Sequence, residues 1–198
     1  MTLEVVIADT GGANVASLRF AFERLGALTE VTSDGATIAS AERVVLPGVG
    51  AAGYAMRQLR EAGLINVIKT LTQPVLGICL GMQLLYQESE EGRTKCLGVL
   101  PGTVRRIHGA PGRPVPHMGW NQLLPSSGDS LLEGITNQSY AYFVHTYAVP
   151  VNGETLAETQ YGVRFSALIR QRNFCGAQFH PERSGETGAR LLRNFLSL

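Results

Sequence analysis

The sequence predicts an α/β fold, doubly wound around a mostly parallel central sheet flanked by helices, with additional antiparallel strands in the C-terminal half. Three observations carry this expectation. In the first half, short apolar runs alternate with stretches whose apolar residues recur every three or four positions, the pattern of strands joined by crossover helices. The runs are continuously apolar rather than alternating, as strands covered on both faces are. Beyond residue 91 the helical spacing largely gives way to short strand-like segments divided by turn residues.

Residues 3–8 form the first apolar run, ending at Asp9, and residues 9–14 turn the chain. Asn14 is the expected N-cap of a helix that presents Val15, Leu18, Phe22 and Leu25, with Gly26 as its stop. Strands are expected over residues 28–32 and 43–46, the latter running into Pro47-Gly48-Val49-Gly50, a loop with many amides and little bulk. Helices follow over 51–60 and 64–71, closed by Gln73-Pro74 before the apolar run 75–78, and a further helix is expected over 82–91. Residues 99–107, 115–124, 140–149, 154–160, 165–170 and 174–179 read as strands, and 186–196 as a last helix burying Leu191, Leu192, Phe195 and Leu196.

The chain has 198 residues and a net charge of +1, and no linker-like or charged block divides it, so one domain spanning residues 1–198 is expected. Near-neutral charge gives no nucleic-acid footprint and no attraction to an acidic membrane surface. Glu4 stands where a signal peptide would be basic, and no apolar run reaches transmembrane length, so a soluble cytoplasmic protein is expected. Cys79, Cys96 and Cys175 are odd in number and widely spaced. That pattern argues against a disulfide framework or a zinc site and leaves at least one free thiol.

Gly77-Ile78-Cys79-Leu80-Gly81 has the form of a nucleophile elbow with cysteine at the centre, where a sharp strand-to-helix turn pushes the reactive side chain outward. The glycines allow close packing, and helix N-terminal amides favour a thiolate. The plainer alternative is a small buried hydrophobe between turn residues. Of the four histidines, His108 reads as a solvated loop residue, His117 as buried beside Trp120, and His145 as sharing a strand face with Phe143 and Tyr147. His180 differs, since it ends an apolar run and is followed by Pro181-Glu182. On an extended segment, i and i+2 share a side, which would let Glu182 hold the His180 ring as that ring takes the Cys79 proton.

Gly77-Ile78-Cys79-Leu80-Gly81-Met82-Gln83 together with His180-Pro181-Glu182 resembles the triad of class I glutamine amidotransferases. A narrower resemblance, carried by Pro116-His117-Met118-Gly119-Trp120-Asn121, Tyr142-Phe143-Val144-His145-Thr146-Tyr147 and Gln178-Phe179-His180-Pro181-Glu182, is to the glutaminase subunits of imidazole glycerol phosphate synthases. The resemblance implies Cys79 as nucleophile, His180 as general base and acid, and Glu182 as its orienting group. It implies an oxyanion hole from Leu80 and the Val49 and Gly50 loop, and glutamine contacts from Gln83, Tyr142 and Thr146. It implies no metal or organic cofactor, and a heterodimer with a (β/α)8-barrel cyclase that consumes the ammonia. Arg183 departs from the lysine often found after His-Pro-Glu. Three other readings stay open: a glutaminase serving another synthase such as that of pyridoxal phosphate, a non-catalytic regulatory member of the fold, and a partner-independent cysteine hydrolase.

Overall fold

The computed structural model describes residues 3–9, 15–126 and 128–198. The turn expected at 9–14, with its Asn14 cap, lies outside them except for Asp9. The first half runs β1 (Glu4–Ala8), α1 (Val15–Glu23), β2 (Leu28–Thr32), α2 (Gly35–Ser40), β3 (Val44–Leu46), α3 (Ala52–Glu61), α4 (Leu64–Thr70), β4 (Val75–Ile78) and α5 (Leu80–Leu84). Short strands β5 (Glu88–Ser89), β6 (Thr94–Lys95) and β7 (Thr103–Arg106) follow, then β8 (His117–Gln122), β9 (Leu124–Pro125), β10 (Tyr140–His145), β11 (Tyr147–Ala148), β12 (Thr155–Tyr161), β13 (Val163–Gln171), β14 (Phe174–Ala177) and α6 (Gly185–Leu196).

An eight-stranded sheet in the order β2-β1-β3-β4-β14-β13-β12-β9 forms the centre. Strands β2, β1, β3, β4 and β14 pair in parallel, and β13, β12 and β9 extend the sheet antiparallel. This is the expected mixed α/β architecture. Period-two alternation sorts β1 onto two cores: Val5 and Ile7 pack with Phe22, Leu191 and Phe195 on one face, Val6 and Ala8 with Leu59, Leu64 and Ile68 on the other. Burying the strands on both sides explains why their sequences lack polar alternation.

Several elements differ from expectation. The strand expected over 140–149 breaks at Thr146, so that β10 pairs with β8 and β11 with β7, and that expected over 115–124 divides into β8 and β9, in different sheets. The helix expected over 82–91 stops at Leu84, where the Leu84, Leu85 and Tyr86 carbonyls accept instead from the N–H groups of Leu97, Val99 and Gly98 at 2.8–2.9 Å. The chain instead enters a second sheet, where β5 pairs with β6 and β7. The strand expected over 99–107 shrinks to Thr103–Arg106, since Gly98 and Gly102 carry positive φ and hold the preceding residues in a turn. Helix α2 was not expected; Asp34 caps it, its side chain accepting the Thr37 N–H at 2.7 Å, and at six residues it is too short to show a period.

Candidate active site

Strands β4 and β14 lie side by side in parallel, with Gly77 opposite Gly176 and Ile78 opposite Ala177. Cys79 follows one strand and His180 lies just past the end of the other, so both emerge at the C-terminal edge of the sheet, where sites form in this architecture. Cys79 has φ 53° and ψ −110°, a conformation costly for a residue with a side chain. Its N–H donates to Ala177 O at 2.7 Å, which ties the elbow to β14.

The glycines make this turn packable. A Cβ at Gly77 would sit 2.7 Å from the Met82 backbone, and one at Gly48 would sit 2.5 Å from Gly81 N. A Cβ at Gly81 would overlap Leu46 O outright. The Pro47-Gly48-Val49-Gly50 loop therefore lies directly against the start of α5, with Gly50 at φ 82°. Leu80 is the first residue of α5, a position whose N–H has no intrahelical acceptor.

His180 Nδ1 and Glu182 Oε1 are 2.9 Å apart, and both side chains are largely buried. The pair is not made along an extended strand as expected. Residues Pro181–Arg183 form one 3₁₀ turn, which curls the carboxylate back under the ring. The His180 N–H donates to Tyr142 O at 3.0 Å, and the Tyr142 N–H donates to Ser184 Oγ at 2.9 Å, so β10 fixes the whole turn. With Nδ1 engaged by Glu182, Nε2 is left for the sulfur. Burial opposes a charge on His180, but hydrogen bonds and charge from Cys79 and Glu182 outweigh it and raise the ring to about 10. The imidazole is thus held protonated at neutral pH, the form that can donate to a departing amine.

The other thiols and imidazoles behave differently. All three cysteines are free, and burial pushes Cys96 up to about 11 and Cys175 up to about 12. His108 is exposed. His117 does not pack beside Trp120; it stacks between Phe143 and Tyr161, its ring centroid 5.0 and 4.0 Å from theirs. Burial lowers it to about 4 and His145 to about 3. Their hydrogen bonds fix both tautomers. Tyr147 O can only accept, so His145 carries its proton on Nδ1, 2.9 Å away. His145 Nε2 then accepts from His117 Nδ1 at 3.0 Å, and His117 Nε2 accepts from Asn121 at 3.3 Å.

A cavity of about 280 Å³ opens over Cys79. Val49, Gly50, Leu80, Gln83 and Thr146 line it, as their expected roles require, but Tyr142 does not. The Tyr142 ring lies edge-on to Trp120 with centroids 6.0 Å apart. Gln83 Nε2 donates to Tyr147 O at 2.8 Å and to Gln178 Oε1 at 2.9 Å, which leaves its oxygen as the group available to a ligand. Two residues beyond the sequence reading belong here. Glu91 brings a carboxylate to the cavity wall, visible only once the expected helix breaks and its turn folds back. Gln178 reaches the Cys79 sulfur, two positions before His180 in the same run. Among the described residues, no group of three or more His, Cys, Asp or Glu side chains is arranged to hold a metal ion.

A buried Cys–His–Glu line at the C-terminal edge of a doubly wound sheet defines a cysteine amidotransferase of the triad class, and the family model for class-I glutamine amidotransferases matches residues 6–198. The chain belongs to that family. More particularly, it is 53% identical over 195 residues to the imidazole glycerol phosphate synthase subunit HisH of Xanthomonas euvesicatoria pv. vesicatoria, covering 98% of both chains. It is 52% identical to the protein of that name from Idiomarina loihiensis, covering 99% of this chain and 98% of the relative. Among solved structures, a glutamine amidotransferase superposes with a TM-score of 0.75 at 24% identity, covering 97% of each chain. PurLQS from Thermotoga maritima gives 0.73 at 18% identity, covering all of this chain and 99% of that one. Both structures bear on the fold alone.

Proposed function

We propose that residues 1–198 act as one glutaminase domain, the ammonia-producing subunit of an imidazole glycerol phosphate synthase in histidine biosynthesis. Cys79 Sγ attacks the glutamine carboxamide carbon as the thiolate, the proton it has given up already resting on His180 Nε2. The oxyanion is met by the Leu80 N–H and an amide of the Val49-Gly50 loop, donors worth roughly two to three decades in rate each. Collapse returns the proton to the leaving nitrogen, releasing ammonia and a glutamyl thioester. Water, deprotonated by His180, then attacks the acyl carbon; the Cys79 thiolate leaves and glutamate is formed. Glu182 keeps the ring oriented and balances its charge. Gln83 Oε1 and the Glu91 carboxylate suit the α-ammonium of glutamine, with Thr146 at the same wall. Tyr142 acts from outside the cavity, by fixing the His180 turn through its backbone.

The observation that carries this reading is the emergence of Cys79 and His180 from neighbouring parallel strands, with Glu182 on the far side of the ring. No cofactor is needed for such acyl transfer. The ammonia acceptor is a second chain, a (β/α)8-barrel cyclase in a cytoplasmic heterodimer. Supporting a partner, the outer face of the β8–β10 ribbon carries exposed Met118, Trp120 and Tyr140 and is continuous with Val144 at the cavity wall. Glutamate release measured with and without the cyclase and its nucleotide tests the proposal. Release that needs Cys79 and rises when both are added is expected; release indifferent to both would remove the assigned pathway.

A further inference from the structure

The Cys79 sulfur faces three protein groups besides its own backbone. Val144 O lies 3.7 Å away and accepts the proton of the neutral thiol. His180 and the Gln178 side chain, with Nε2 at 3.8 Å, face it as donors. Gln178 is wholly buried, one strand residue beyond β14, and nothing in the acyl-transfer steps above uses it.

Which end of the Gln178 amide meets the sulfur is fixed by logic rather than by chance. Tyr147 O has no proton to give, so the Gln83 group 2.8 Å from it must be the NH2. The second proton of that NH2 points at Gln178, 2.9 Å away, which must therefore present its oxygen there. Only the Gln178 NH2 is left for the sulfur. His145 Nδ1 donates to the same Tyr147 carbonyl and reinforces the anchor.

We propose that Gln178 is a dedicated donor to the Cys79 thiolate, its polarity set by the Tyr147 carbonyl through Gln83, and that it stabilises the sulfur as attacking and as leaving anion. This rests on Cys79 being the nucleophile. A buried hydrogen bond to an anion is stronger than one to a neutral group, so the amide favours thiolate over thiol. A methionine at 178 would fill the space without donating. A glutamate there would place an acceptor and a negative charge against the sulfur.

The test is the pH profile of Cys79 alkylation by iodoacetamide, read by mass spectrometry on the Cys79 peptide in the full-length protein. The titratable groups around the sulfur are His180, hydrogen-bonded to it with Glu182 behind, and Glu91, His145 and Tyr147 in the cavity wall; Gln178→Met adds none, and Gln178→Glu adds its own carboxylate. The profile midpoint is expected to rise by about one unit in Gln178→Met, and further in Gln178→Glu. Profiles that overlay the parent's would overturn the proposal, even if glutamate release fell. A second measurement needs no variant: the Gln178 side-chain NH2 resonance of the parent protein should titrate with the alkylation midpoint, and a resonance flat through that midpoint would equally overturn it. Neither readout uses glutamine, so failure of the glutaminase reading, seen as undiminished glutamate release by Cys79→Ala, is a separate result.

Discussion

At residue 180 a buried imidazole keeps its proton because two acidic neighbours outweigh the cost of burial. His180 stands at about 10 in the fold against an ordinary 6.5. A raised value means the folded state binds the proton more tightly, so this contribution to stability is complete below about 6.5 and fades as pH climbs toward 10. The thermal unfolding midpoint should therefore fall over that window in the parent protein and do so less in His180→Gln. Cys79→Ala should keep the fold and lose glutamate release by at least three decades, since neither Cys96 nor Cys175 lines the cavity. Cys79, His180 and Glu182 were legible in the chain because their chemistry is local: an elbow needs flanking glycines, and a histidine needs an acid within a turn. Gln178 and Glu91 were not, because their roles depend on which buried groups meet across strands and turns distant in the sequence.

The elements around the site are held by contacts with no slack. Leu46 O lies where a side chain at position 81 would begin, so Gly81→Ala must push the β3 loop away from α5. We expect it to destabilise the protein by about 1–3 kcal/mol in chemical denaturation and to lower activity further by moving the Val49-Gly50 amides. The β8–β10 ribbon carries the opposite titration from His180. Burial holds His117 near 4 and His145 near 3, so the unfolded chain takes up protons that the folded chain refuses. Stability should accordingly fall as pH drops from about 6.5 toward 3, and a His117→Gln variant should show a shallower fall in urea unfolding midpoints. The two strands of the ribbon were readable as strand-like segments, but neither their pairing nor the break that puts Tyr147 in another sheet was. The turn of α5 into β5 was not, since an apolar run of this length is compatible with helix or strand until its tertiary neighbours bury all of it.

Over the whole molecule, the parallel half of the sheet supplies the catalytic edge, and the antiparallel half extends the sheet beyond it. The doubly wound class was legible because strands covered on both faces cannot hide their composition; the strand order was not. The four-stranded sheet β11-β7-β5-β6 was not, because its strands are two to four residues long and carry no period. One face of the β8–β10 ribbon remains apolar and uncovered, with Trp120 57% exposed and Met118 62% exposed. Replacing both by alanine should leave thermal stability nearly unchanged and abolish most of the stimulation of glutamate release by the cyclase.

The apposition of Cys79 and His180 is tested most directly by labelling with a diazoketone analogue of glutamine, followed by peptide mass spectrometry. One adduct per chain, on Cys79, formed in step with loss of glutamate release and slowed by glutamine, is the predicted result. Continued glutamate release by fully labelled protein, or an adduct confined to Cys96 or Cys175, would contradict it.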